Sequence, residues 1–402
     1  RDAIAVQAEG LAGIATVTVT GGDTAEGDTL LVSGTTAGDT ISYTPDAADL
    51  RTGSVVVGAI TTNFSAIEGV SIDGLGGTDV TTLNGTANAE TVVLTPAGNA
   101  SGSLRVGASS PLSFTSLETI TVDTGAAADV LVVNGTGGND TVSLSATNAT
   151  VNGQSFTLAG EETVTLESGD GDDAVTVTPA AAVTFNVNGG NPSASDSLTV
   201  PTAGVASSVS ESVVTVGANL PINYTGIENL SITGGGTVTL LGGAGQDTIA
   251  VNSTAATAQI NSGALINFNT SVAITADGAG NANDQVVVNG SASADTIAVA
   301  RGATTTVTLA GVVVSVPLAT SENLLISGGV GNDTVNVTGT GGAALTVDGG
   351  AGGTDTLNIT LATAAATNTY TPGTTNDAGA FVSSADGTTT FVGIDAVSLT
   401  GA

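Results

Sequence analysis

Short stretches of alternating apolar and polar residues recur along the whole chain. One run shows the rhythm: Val130 to Val133, Thr141 to Leu144, Thr150 to Asn152, Thr163 to Leu166, Ala174 to Thr178, Thr184 to Val187 and Ser197 to Val200. Each has the period of two that turns one strand face inward and the other outward. Each is bounded by Gly, Asn or Asp. No segment sustains a helical period. The pattern predicts an all-β chain of short strands about 11 residues apart.

Acidic residues punctuate this rhythm. Four pairs stand at positions i and i+11, with an apolar stretch and a Gly-containing turn between them: Asp28 and Asp39, Asp79 and Glu90, Asp129 and Asp140, Asp284 and Asp295. A second motif reads aromatic-x-x-apolar-Glu-x-apolar-x-apolar. It occurs at Phe64 to Glu68, Phe114 to Glu118 and Tyr224 to Glu228, and with Asp at Phe391 to Asp395. Phe156 precedes Glu162 by two residues more, and Glu322 keeps the acid without the aromatic. In numbering, the steps between these acids are 50, 44, 66, 94 and 73, two of them multiples of 22 and the others six or seven residues longer than one.

Short strands at a fixed interval predict a parallel β-helix or β-solenoid with about 22 residues per coil, stacked into one continuous rod over 1–402. Two stretches break the rhythm. Residues 201–221 are expected to form an irregular coil, and 361–402 an atypical C-terminal one. The alternative is a tandem array of β-sandwich domains, but each would need ~100 residues and a large buried aromatic core. Both ends read as strands without polar caps, which suits either pairing with another copy or a piece of a longer solenoid. The start at Arg1 suits a processed mature form or an excised segment.

Composition narrows the chemistry. The chain has 402 residues, a formal net charge of −32, and no Cys, His, Met or Trp. Disulfides, His or Cys nucleophiles, and Ser-His-Asp triads are excluded. Four Arg and no Lys leave no basic footprint for nucleic acid. No apolar run reaches the ~18 residues of a membrane helix, so no membrane insertion is expected. Hydrophobic residues at 41% and charged ones at 10% argue against disorder despite the net charge. The oxygen ligands that remain suit hard cations such as calcium.

Gly242 to Ala250 (GGAGQDTIA) and Gly328 to Asn336 (GGVGNDTVN) match Gly-Gly-x-Gly-x-Asp-x-apolar-x. Near-matches surround Asp79, Asp140, Asp173 and Asp355. These turns resemble the calcium-binding nonapeptides of the repeats-in-toxin family. The resemblance implies Asp79, Asp140, Asp173, Asp247, Asp333 and Asp355 as calcium ligands, with Ca2+ the one cofactor expected. In that family the nonapeptides run in tandem; here each is separated from the next by a stretch longer than the motif itself. Gly-Asn-Asp is also good turn chemistry in its own right, and that reading stays open beside the calcium one. The repeated Glu is expected to contact turn backbone amides, because five copies of one catalytic residue are hard to justify. Asp170, Asp172 and Asp173 form the tightest acid cluster, the only place where two hydrolytic carboxylates could be sought. Asn-x-Ser/Thr triplets such as Asn84, Asn134 and Asn229 are expected by chance in such a composition.

In composition the chain resembles the acidic Thr/Val/Gly/Asn-rich solenoids of bacterial cell-surface proteins: surface layers, adhesins and extracellular fibres. The resemblance implies a non-enzymatic structural protein, extracellular or at the cell surface. It would be a self-assembling filament or surface-layer subunit, joined end to end or as a homo-oligomer. The alternatives are an adhesin stalk or passenger region and, more remotely, a polysaccharide-processing β-helix enzyme.

Overall fold

The computed structural model describes residues 2–22, 27–49, 51–191, 195–269, 273–280, 283–317, 323–362 and 367–401. Strand is their dominant structure, and the only helical element among them is the single turn Ala8–Gly10. Two compact units form: Arg1–Leu198 with Asn219–Ile227, and Thr199–Ala218 with Glu228–Ala402.

Within each unit the strands build two long, largely parallel sheets. In the first unit, Ala3–Gln7, Thr29–Ser33 and Gly69–Asp73 pair in parallel in one sheet. Thr40–Pro45, Val80–Asn84 and Thr119–Asp123 do so in the other. The chain thus alternates between sheets, which is consistent with a β-solenoid. Alternate residues are buried in most strands, though not in Asn368–Pro372 or Ala396–Gly401, and Val, Ile and Leu from both sheets fill the core. Burial of such side chains contributes ~1.5–3 kcal/mol each, so stacking supplies the stability that one coil lacks.

Parallel neighbours are not evenly separated in sequence. Thr163 pairs with Thr184 and Thr334 with Thr356, 21 and 22 residues further on, but Leu345 pairs with Thr389, 44 residues further on. The longer offsets contain three-stranded antiparallel meanders lying in the sheet itself. In the first unit these are Thr40–Pro45 to Ile60–Ser65, Thr91–Gly98 to Leu112–Thr115, and Thr141–Ser145 to Gln154–Ala159. In the second they are Thr248–Asn252 to Leu265–Asn267, Thr296–Arg301 to Val312–Pro317, and Asn368–Pro372 to Gly387–Val392. Within each unit, successive meanders switch sheets. The first shows the threading: the chain enters at Thr40–Pro45, beside the strand still to come at Val80–Asn84. It then doubles back twice, so that Ile60–Ser65 lies beside the earlier Thr16–Thr20.

The aromatic motif marks the return strand of a meander, as Phe64, Phe114, Phe156 and Phe391 show. All four rings are buried. Three lie across from a glycine in the middle strand: Gly53 opposite Phe64, Gly102 opposite Phe114 and Gly379 opposite Phe391. A Cβ at these glycines would stand 2.7, 2.7 and 2.8 Å from the ring's Cζ, so the missing side chain is the space the ring occupies. Tyr43 stacks on Phe64, and Tyr370 on Phe391, with centroids 6.4 and 6.2 Å apart. Phe114 and Phe156, from opposite sheets, meet edge to face at 6.5 Å.

Residues 201–221 contain the hairpin Ser207–Val209 with Val213–Val216. Residues 361–402 contain the last meander and the strand Ala396–Gly401.

Removing Phe114 leaves a cavity between the sheets, so Phe114→Ala is predicted to cost about 3–5 kcal/mol in urea unfolding. Gly102→Val should destabilise as well, by driving a side chain into the space the ring fills. Variants that unfold with the wild type would rule out this pairing as a packing determinant.

Candidate functional site

The acids singled out in the sequence converge on one repeated structure at the corners where strands begin. A backbone N–H at such a corner lies outside the regular strand ladder, and a buried donor must still be satisfied. Here a carboxylate from the next parallel strand accepts it. Asp28 N–H donates to Glu68 Oε2 at 2.7 Å, Asp39 N–H to Asp79 Oδ1 at 2.8 Å, and Asp79 N–H to Glu118 Oε2 at 2.9 Å. Glu90, Asp129 and Glu162 continue the scheme, as do Asp140, Asp173 and Asp196. In the second unit Asp247 N–H donates to Asp284, and Asp295, Asp333, Asp355 and Asp395 form one unbroken series.

Each rung is reciprocal. The carbonyl of the donating acid accepts a backbone N–H at the next corner, as in Val80 N–H to Asp39 O at 2.9 Å and Thr356 N–H to Asp333 O at 2.8 Å. The evenly spaced acid pairs are therefore acids opening successive strands in alternate sheets: Asp28 precedes Thr29–Ser33 and Asp39 precedes Thr40–Pro45. The Glu of the aromatic motif closes a series after a meander, and its expected contact with a backbone amide is found at Glu68, Glu118 and Glu162. Glu322 lies outside the described residues.

At the start of a series, where no earlier strand supplies an amide, the acid caps its own turn. Asp39 Oδ2 accepts Thr35 N–H at 2.6 Å, Asp140 Oδ2 accepts Thr136 N–H at 2.6 Å and Asp295 Oδ2 accepts Ser291 N–H at 2.6 Å; Glu90 takes Thr86 N–H in the same way. The hydroxyls of Thr35, Thr136 and Ser291 bond the same carboxylates. Asn84-Gly85-Thr86 and Asn134-Gly135-Thr136 thus have a turn role for their third residue. Asn152 and Asn261 add side-chain amides to Asp140 and Asp247.

The first glycine of each nonapeptide has a packing reason that the sequence alone did not reveal. A Cβ at Gly328 would stand 2.6 Å from Asp333 Oδ2 and run into the carbonyl oxygen of Gly349. Gly34, Gly74, Gly135, Gly242 and Gly290 are placed alike, five residues before their acids. Gly-x4-Asp is the signal that would have found the ladder.

All six candidate ligands sit in these rungs, with side chains buried. Burial pushes the carboxyls of Asp79, Asp173 and Asp333 above the usual range, against the lowering effect of the amides they accept. Asp79 Oδ2, Asp173 Oδ2 and Asp333 Oδ2 have no hydrogen-bond partner. Stacking brings Asp333 and Asp355 together through the Asp333 N–H···Oδ1 bond of 2.8 Å. Among the described residues, no three or more acidic side chains gather in an arrangement that could hold a metal.

Asp170, Asp172 and Asp173 do not share one pocket role. Asp170 bridges to Asn191, Asp172 N–H donates to Asn139 Oδ1, and Asp173 is a rung. Arg51 pairs with Glu68 at 3.3 Å. Arg301 is buried, donating to Thr389 Oγ1 at 3.3 Å and Ala343 O at 3.2 Å. Desolvation lowers its pKa, opposed by Asp386.

No protein-family model matches the chain, and neither does any curated protein.

Asp79→Ala leaves the Asp39 N–H without its acceptor, and a loss of about 1–3 kcal/mol is predicted. Asp79→Asn keeps Oδ1 and should cost clearly less. Chemical denaturation of the two variants tests this; equal losses would mean that the acceptor is not what matters.

Proposed function

We infer that this chain is a structural, self-associating extracellular protein, a filament or surface-layer subunit. It is built on a solenoid whose plain coil takes about 22 residues, a period typical of stacked repeats. The observation that carries this reading is the use made of the reactive groups. The repeated acids, together with several of their Thr and Ser neighbours, are engaged with backbone amides at strand corners. Repetition of one structural contact suits a material better than a catalyst. The strand Ala396–Gly401 adds support. It pairs on one side with Thr356–Leu361 and exposes Val397 and Leu399. Such a strand offers backbone and apolar surface to a further strand.

Calcium enters this reading as a stabiliser, drawn by the density of acids. If it binds only the folded form, at 100 times its dissociation constant, about 2.7 kcal/mol of stabilisation is expected, read as a higher Tm than in EDTA. Electron microscopy of concentrated protein, with and without calcium, tests assembly. Filaments or sheets are expected, and Val397→Lys with Leu399→Lys should reduce them. Uniform monomers under both conditions would overturn the reading.

A further inference from the structure

One copy of the repeated corner differs from the rest in a single buried side chain. Four meander returns end on a residue with positive φ, Ala66 at 53°, Ser116 at 56°, Gly160 at 91° and Gly393 at 65°, and Gly226 at 63° follows the strand Ile222–Thr225 in the same way. The residue just before it fixes the equivalence of the copies. Ser65, Thr115, Ala159, Thr225 and Val392 each accept, at the carbonyl, an N–H from the neighbouring strand's corner: Gly21, Gly74, Thr124, Gly189 and Gly349. The residue after the positive-φ position then enters the core. It is Ile67 at 0% exposure, Leu117 at 1%, Ile227 at 7% and Ile394 at 3%. In the third copy it is Glu161, at 7%. A carboxyl occupies a place that the fold otherwise fills with Ile or Leu.

Among the described residues, no basic group acts on this carboxyl. Its Oε2 has no hydrogen-bond partner, and the other oxygen is served by the residue's own backbone N–H. The charged groups around it are all acids. Asp123 ends the adjacent strand Thr119–Asp123, Asp129 opens the paired strand Asp129–Asn134, and Glu162 follows in the chain. Here the pairing also carries a bulge. Asp129 is opposite Glu161, but Val130 is opposite Thr163, so Glu162 is extra on its strand. Glu162 uses that freedom to accept Asp129 N–H at 2.8 Å.

We propose that Glu161 is a pH-operated latch on this corner: as a neutral acid it stays in the apolar slot, and as a carboxylate it leaves the slot and loosens the bulged rung between Asp129 and Glu162. Burial pushes its pKa up from 4.5 to about 7, with Asp123 and Glu162 acting in the same direction. The sign follows from proton binding. Between those two values the folded state holds more protons than the unfolded one, so stability falls as pH rises through the window. Below about pH 4.5 Glu161 is neutral in both states and the full contribution is present. Above about 7 the contribution is lost.

The test compares wild type, Glu161→Gln and Glu161→Leu across pH 4.5 to 8.5. Both variants are expected to differ little in pH response from the wild type at the acid end, then to gain Tm over it as pH rises, by about 5 °C at pH 8. The amides of Asp129 and Val130 should exchange faster in the wild type at pH 8 than at pH 5, in excess of the intrinsic pH effect and of the change seen in Glu161→Gln. Should neither variant fold, the side-chain carboxyl 13C shift of Glu161 in the wild type gives the answer directly. A midpoint well above ordinary glutamate supports the latch. A midpoint near 4.5, or a Tm offset that is the same at every pH, overturns it.

Discussion

The fold depends on how a backbone amide is satisfied at a corner. A chain that passes from one sheet to the other must leave the regular ladder at each strand start, and the N–H there loses its carbonyl. A carboxylate reaching in from the next strand supplies the acceptor, and a second backbone bond returns in the opposite direction. Hydrogen bonds to a charged acceptor are stronger than neutral ones, with a net contribution of about 1.5–3 kcal/mol each. A contact of that size at every corner sets the register between strands, because a slip of one residue would separate each acid from its amide. The net charge of −32 then reads differently. Much of it consists of hydrogen-bond acceptors inside the corners, where the alternative is an orphaned amide.

The same constraint explains one recurrent glycine. The carboxylate and the carbonyl of the next corner crowd one point, five residues before the acid, and only a residue without Cβ fits there. In the nonapeptide-like sequences this glycine and this acid have a packing and hydrogen-bonding role. Calcium affinity would therefore have to be an addition to the ladder, made through oxygens such as Asp79 Oδ2 and Asp333 Oδ2 that the ladder leaves unpaired.

Strand spacing, sheet class and the structural part of the repeated Glu were legible in the sequence, because period-two burial and the spacing of corner acids are local. The meanders were not. An antiparallel insertion has the same alternation and the same turn residues as a plain coil, so Thr141 to Leu144 and Thr150 to Asn152 read as successive coil strands although they pair with each other in one sheet. The irregular steps between acids were the trace of these insertions. The aromatic was the marker of four of them, and in three its ring fills the space across from a middle-strand glycine. Residue types alone also could not reveal that Glu161 faces inward. Its place is set by the positive-φ residue before it, Gly160, and not by the distance from the aromatic.

Meanders and acid series divide the work of the fold. A meander adds strands, and its antiparallel pairs hold through backbone bonds and an aromatic plug without any corner acid between them. It also interrupts the ladder, so each series must be closed by an acid and the next one started by a self-capped turn. Long uniform series would concentrate buried carboxylates, each raising the pKa of its neighbours, as Asp39 and Glu118 do for Asp79. Breaking the ladder into series of a few rungs, and moving successive meanders within each unit from one sheet to the other, limits that repulsion while the corner amides of each described series keep a carboxylate partner. In this view the spacing of the aromatics and the spacing of the acids are two expressions of one requirement: satisfying amides with negative charge without letting the charges accumulate.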